Sequence, residues 1–120
     1  MTGLGHGAQP IPAACVVGPI LVTGGVSGKD PETGLVPDDP ACEVAQAFAN
    51  LRTIVEAAGG RVEQIAKVTV FVTDRTIRTH LNPVWEAMFP DPESRPARHT
   101  LEAPLTGMRL QLEGLAVLAG

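Results

Sequence analysis

The chain has 120 residues, 44% of them hydrophobic and 18% charged, with a net charge of −4, the composition of one globular domain large enough to bury its own core. The absence of any lysine or arginine run, and of aromatics interleaved with basic residues, argues against nucleic-acid binding through phosphate neutralisation or base stacking. No stretch reaches membrane-spanning length, and the start lacks the basic and apolar regions of a secretory signal, so a cytoplasmic location is expected.

Residues 1–12 are rich in glycine and proline and read as a flexible segment ahead of a domain over 13–120. Gly3, Gly5 and Gly7 approach a dinucleotide fingerprint, but no strand precedes them and no helix follows, so they carry no cofactor signal. From Cys15, "CVVGPILVTGGV" reads as two short strands turned at Gly18-Pro19. "KDPETGL" is a turn in which Gly34 supplies a positive φ.

Asp39 then caps a helix that opens on Pro40, follows an apolar stripe through Ala41, Val44, Ala45, Phe48, Leu51, Val55 and Ala58, and stops at Gly59-Gly60. Asp38 and Asp39 are therefore read as a helix start, not as a catalytic carboxylate pair. "KVTVFVT" alternates as a strand, Val68, Val70 and Val72 on one face and Thr69, Phe71 and Thr73 on the other. Ile77, Leu81, Trp85 and Met88 place a second helix within 76–89, begun late enough to keep Pro83 near its first turn. Strands near 97–103 and 109–118 close the chain.

The order β-β-α-β-α-β-β predicts a mixed sheet with both helices on one face, an α+β arrangement (α/β in the broad sense). Leu115 and Val117 then lie on the side away from Leu110 and Leu112, where an apolar face would meet water unless another subunit covered it. A homo-oligomer is expected, with any cleft between subunits as the natural place for a site. Cys15 and Cys42 have no partner at metal-ligand spacing and read as small buried hydrophobes in a reducing compartment. No Ser/His/Asp or Cys/His set can be assembled. His6 falls in the tail, His80 on a solvated helix face, and His99 reads as a packing residue on the helix-facing side of its strand.

The segment "RPARHTLEAP" sets Arg98 at the mouth of a strand, sharing a face with Thr100 and Glu102. Together with "DPETGLV", "NLRTIVEAAGGRVEQIAKVTVFVTD" and "LNPVWEAMF", it resembles the RidA (YjgF) family of enamine/imine deaminases from about Cys15 to the C-terminus. The resemblance implies a chorismate-mutase-like single domain and a homotrimer with three intersubunit clefts. It implies no cofactor and no metal. It also implies that Arg98, and not Arg95, binds the carboxylate of a small imine or enamine, a task suited to a planar guanidinium. Asn82 and Trp85 match cleft-lining positions of the family, and the Thr100 carbonyl would orient a water.

Three departures accompany these matches. Gln111 replaces a glutamate near that water, with Glu113 as the second acid of the pair; an amide positions water but cannot accept its proton. A tyrosine of the family has no counterpart, Ile11 falling near its position. Gly24 stands where a small polar residue is usual, which implies a roomier and more apolar pocket. The expected activity is hydrolytic deamination to a 2-keto acid and ammonia, with Arg98 and Gln111 as the catalytic pair. The alternative is a ligand-binding or regulatory member with little hydrolytic activity. A ribonuclease or translation-inhibitor role fits the acidic composition poorly.

Overall fold

The structure, a computed structural model, describes residues 12–118. The expectations for Gly3, Gly5, Gly7, His6 and Ile11 lie outside the described residues. The hairpin forms as Ala14–Val17 (β1) and Ile20–Thr23 (β2), with Gly18 at φ +59° in the turn between them. Gly34 takes its expected positive φ of +74°, and its N–H donates to the Asp30 carbonyl at 2.7 Å. Helix α1, Pro40–Ala57, starts where the Asp39 carboxylate accepts from the Ala41 N–H. Strand β3, Ile65–Val72, leads through a 3₁₀ segment, Arg75–His80, into helix α2, Leu81–Met88, with Pro83 in its first turn. Strands β4, Ala97–Glu102, and β5, Leu110–Val117, complete the fold.

The sheet order is β1-β2-β5-β3-β4, antiparallel throughout except for the parallel β3–β4 pair. A parallel pair needs a crossover, and the 3₁₀ segment with α2 supplies it. Val68, Val70 and Val72 are fully buried beneath the helices, together with Leu21, Leu110 and Leu112. The alternation read in β3 holds, Thr69 and Phe71 being half-buried on the opposite face.

Among the described residues, no element covers that opposite face. Ile20, Val22, Leu115 and Val117 stand together on it, 36–42% exposed, with Val17 beside Ile20 at 70%. The expectation of an uncovered apolar face therefore holds.

Three expectations fail. Cys15 and Cys42 are both exposed: Cys15 pairs with Val22 on the open face, and Cys42 points outward from the first turn of α1. The buried stripe of α1 runs through Val44, Ala47, Phe48, Leu51, Ile54 and Val55, whereas Ala41 and Ala45 are exposed. It is rotated toward the flank that carries Glu43 and Asn50, because that flank is covered by the loop after β2. Thirdly, His99 does not face the helices. Arg98 aligns with Val68 and Thr100 with Val70, which puts Arg98 on the helix side and leaves His99, aligned with Thr69, exposed on the open face.

Glu43 and Asn50 are the buried polar residues that hold this arrangement. Glu43 is completely buried and receives both the Arg109 backbone N–H and Arg109 Nη1, each at 2.7 Å. The same guanidinium donates to the carbonyls of Pro37 and Asp38, tying the segment before α1 to the start of β5. Asn50 donates to the Ser27 and Lys29 carbonyls and accepts from Gln46 Nε2. Gly28 permits this closeness, since a Cβ there would stand 2.4 Å from the Glu43 carbonyl oxygen.

Candidate functional site

Arg98 lies on β4, the edge strand beyond β3, and extends beneath α2. Its guanidinium carbon sits 4.9 Å from the centroid of the Trp85 ring, and its Nη2 donates to Asn82 Oδ1 at 2.9 Å. The positions come from local structure: Asn82 and Trp85 are three apart on α2 and so share one helix face. Trp85 is only 8% exposed and also packs edge-on against Phe48 and Phe89, so the ring serves the core and the arginine at once.

No carboxylate pairs with Arg98 among the described residues. Arg95 is occupied differently, its Nε donating to the Phe89 carbonyl at 2.8 Å, which braces the loop between α2 and β4. Thr100 is half-buried, and its carbonyl accepts from Arg78 Nη2 at 3.2 Å.

Gln111 is elsewhere. It aligns with Phe71 on the open face of the sheet, and its Nε2 lies 4.0 Å from Met108 Sδ. Gly25 presses against it so closely that a Cβ there would stand 2.6 Å from the amide. Gly24 precedes this contact, its N–H bonded to the Ala13 carbonyl. Further along the same face, Glu113 aligns with Thr69 and, with Val22, Lys67 and Leu115, lines a shallow depression of about 240 Å³.

Within one chain, then, the predicted site residues form two groups on opposite faces of the sheet. Arg98, Asn82, Trp85 and Thr100 gather at the β4 edge on the helix side, while Gln111 and the Gly24–Gly25 turn lie on the open side. Among the described residues no group of three or more His, Cys, Asp or Glu side chains is placed to hold a metal ion.

Sequence reasoning missed Arg78, whose approach to Thr100 depends on the parallel pairing of β4, and the Glu43–Arg109 pair. A glutamate flanking an apolar helical stripe was the available signal for the latter. It also missed the environment of Cys42, whose thiol donates to Asp39 Oδ2 at 3.3 Å. That hydrogen bond and the aspartate charge raise the thiol above its ordinary pKa.

Residues 8–118 match the family described as Endoribonuclease L-PSP. The chain is 35% identical over 104 residues to a 2-iminobutanoate/2-iminopropanoate deaminase of Salmonella typhimurium, covering 84% of this chain and 81% of that protein. The crystal structure of the E. coli YjgF gene product superposes with a TM-score of 0.87 at 32% identity, over 98% of this chain and 94% of the other. E. coli TdcF, solved with bound serine, gives a TM-score of 0.89 at 26% identity, over 99% and 96% of the two chains.

Proposed function

The chain belongs to the Endoribonuclease L-PSP family, which includes the RidA and YjgF proteins, and from that premise we propose that it hydrolyses small enamine or imine acids to 2-keto acids and ammonia. The observation that carries this reading is the state of Arg98: exposed at the β4 edge, held from one side by Asn82 and Trp85, with no carboxylate of the described residues paired to it. A guanidinium so oriented offers its remaining N–H groups to a substrate carboxylate as a charge-assisted pair. The amino acid bound to TdcF, a relative, is a ligand of the same small carboxylate class.

In the reaction, the carboxylate pair fixes the adjacent C=N carbon while water attacks it. The water oxygen bonds to carbon and the imine nitrogen takes up a proton. The resulting carbinolamine collapses to the C=O of the keto acid and expels ammonia. An enamine enters by protonation at its carbon terminus to give the same imine. The imine is electrophilic by itself, so orientation and admission of water are the protein's main contributions, and the Gln111 amide suits the second of these.

The two-sided distribution of residues favours a composite site. A cyclic homotrimer that seats the β4 edge of one copy against the open face of the next would bring Arg98 toward the neighbour's Gln111 and Gly24, and would cover Val22 and Leu115. We place this homotrimer in the cytoplasm and assign it no nucleic-acid partner, given its acidic composition.

The test is a deaminase assay with imines generated in situ from several amino acids, wild type beside Arg98→Ala. Turnover by the wild type that Arg98→Ala abolishes supports the reading; turnover that survives the substitution removes it. Gln111 favours one alternative, a ligand-binding member of the family with little hydrolysis, because an amide cannot take the proton of the attacking water. That alternative is met if the wild type binds 2-keto acids through Arg98 yet fails to turn over any imine.

A further inference from the structure

We infer that the site takes imines carrying a second carboxylate, with Arg78 as the cation that receives it; this rests on the deamination reading above. Arg78 stands four residues before Asn82, where the 3₁₀ segment runs directly into α2. From there its Nη2 reaches the Thr100 carbonyl on β4. Arg98, on β4 itself, is bound to the helix that this segment opens, through Asn82 and Trp85 of α2.

The strand geometry sets how these groups are aimed. The Ala103 N–H donates inward to the Val72 carbonyl. Because successive residues of a strand direct their backbone groups to alternate edges, the N–H and C=O groups of Arg98, Thr100 and Glu102 point outward, away from β3. Arg78 thus meets the outer edge of β4 at Thr100, two residues and roughly 7 Å along the strand from Arg98.

Neither guanidinium forms an ion pair among the described residues, although Glu102 is on the same strand face. Two cations held against the same strand at positions two residues apart, neither paired with a carboxylate of the described residues, in a chain of net charge −4, match a ligand bearing two anionic groups. An imine of an acidic amino acid has that form. One carboxylate, beside the C=N carbon, pairs with Arg98; the other, at the end of a short methylene chain, pairs with Arg78. A neutral side chain would use Arg98 alone.

The experiment compares imines generated in situ by an amino-acid oxidase from aspartate or glutamate with those from alanine or 2-aminobutyrate. The wild type should show a kcat/KM about tenfold or more higher for the dicarboxylic imine, the value of one added charge-assisted pair. Arg78→Ala should lower that figure, chiefly through KM, at least about fivefold more than it lowers the monocarboxylic one, and Arg78→Lys should restore part of the difference. Equal loss on both substrates would mean that Arg78 only caps the strand edge, and absence of a wild-type preference would overturn the inference directly. If the wild type turns over no imine, the deamination reading fails on its own. The second cation is then tested by calorimetric titration with oxaloacetate against pyruvate: tighter binding of the diacid that Arg78→Ala removes sustains it, and equal binding overturns it.

Discussion

The Arg98 guanidinium lies over the Trp85 ring at 4.9 Å, and the same ring is wedged edge-on between Phe48 and Phe89. The core therefore fixes the ring, and the ring helps fix the cation that reaches solvent. A cation–π contact at such a site contributes about 0.5–2 kcal/mol. Trp85→Leu should accordingly raise KM for an imine substrate roughly threefold to thirtyfold with a smaller change in kcat. Trp85→Phe, which keeps a π-face, should raise it less. Thermal melts of both variants separate this effect from loss of core packing, which the leucine variant also incurs.

The Glu43–Arg109 pair should behave as a structural clasp and not as part of the chemistry. Glu43 is fully buried and Arg109 about one-third exposed, so the pair is desolvated on one side and partly screened on the other. Glu43→Ala leaves the Arg109 backbone N–H without its acceptor and the guanidinium without its carboxylate, with only the Pro37 and Asp38 carbonyls remaining to it. We expect a loss of about 2–4 kcal/mol, at the lower end of what breaking a buried pair costs because of that exposure. Denaturant unfolding measures it. Arg98-dependent substrate affinity, per folded molecule, should change by less than about twofold, since the two sites share no partner.

These two pairs also mark how much was legible in the sequence. The Asp39 cap, the Gly34 turn and the alternation of Val68, Val70 and Val72 are local, and local chemistry determined them correctly. Asn82 beside Arg98 was reachable only through the resemblance to a family. The facing of His99 was not legible, because it depends on β4 pairing in parallel with β3 and aligning Arg98 with Val68. Nor was the burial of Glu43, whose partner Arg109 is 66 positions away in sequence. The exposure of Cys15 follows from a sheet face that no element among the described residues covers, a circumstance that composition does not express.

Cys42 offers a test of local electrostatics with a definite sign. Its thiol is raised in pKa by the hydrogen bond to Asp39 first and by the aspartate charge second, so less thiolate is present at neutral pH than in an isolated cysteine. Asp39→Asn keeps a helix-capping side chain while removing the charge. Alkylation of Cys42 by iodoacetamide, followed site by site by mass spectrometry, should become several-fold faster in that variant, with the rate profile moved to lower pH. An unchanged profile would show that Asp39 does not govern the thiol.

A trimer should be measurable by light scattering at micromolar concentration as three times the chain mass of 12.5 kDa. Leu115→Glu places a charge in the middle of the open apolar face, and should shift the population to monomer with the helix content retained. A stable wild-type monomer would remove the composite site along with the trimer.

The proposed division of the site between two copies can be tested by complementation. Arg98→Ala removes the proposed carboxylate-binding group from the β4 edge. Gly25→Val drives a side chain into Gln111, where even a Cβ would come within 2.6 Å of the amide. Each variant alone should be inactive, the first for want of substrate binding and the second because the water side of the cleft is blocked. Co-expressed in equal amounts and assembled at random, the two chains would place an intact β4 edge against an intact open face in roughly a quarter of the clefts. Activity of the mixture should then approach roughly a quarter of the wild-type value. Mixing the separately purified variants should give less, to the extent that assembled trimers exchange subunits slowly. If Arg98 and Gln111 served a site within one chain, every site in the mixture would carry one defect and no activity would return. The mixed assembly therefore decides between the two geometries without requiring that the physiological imine be known.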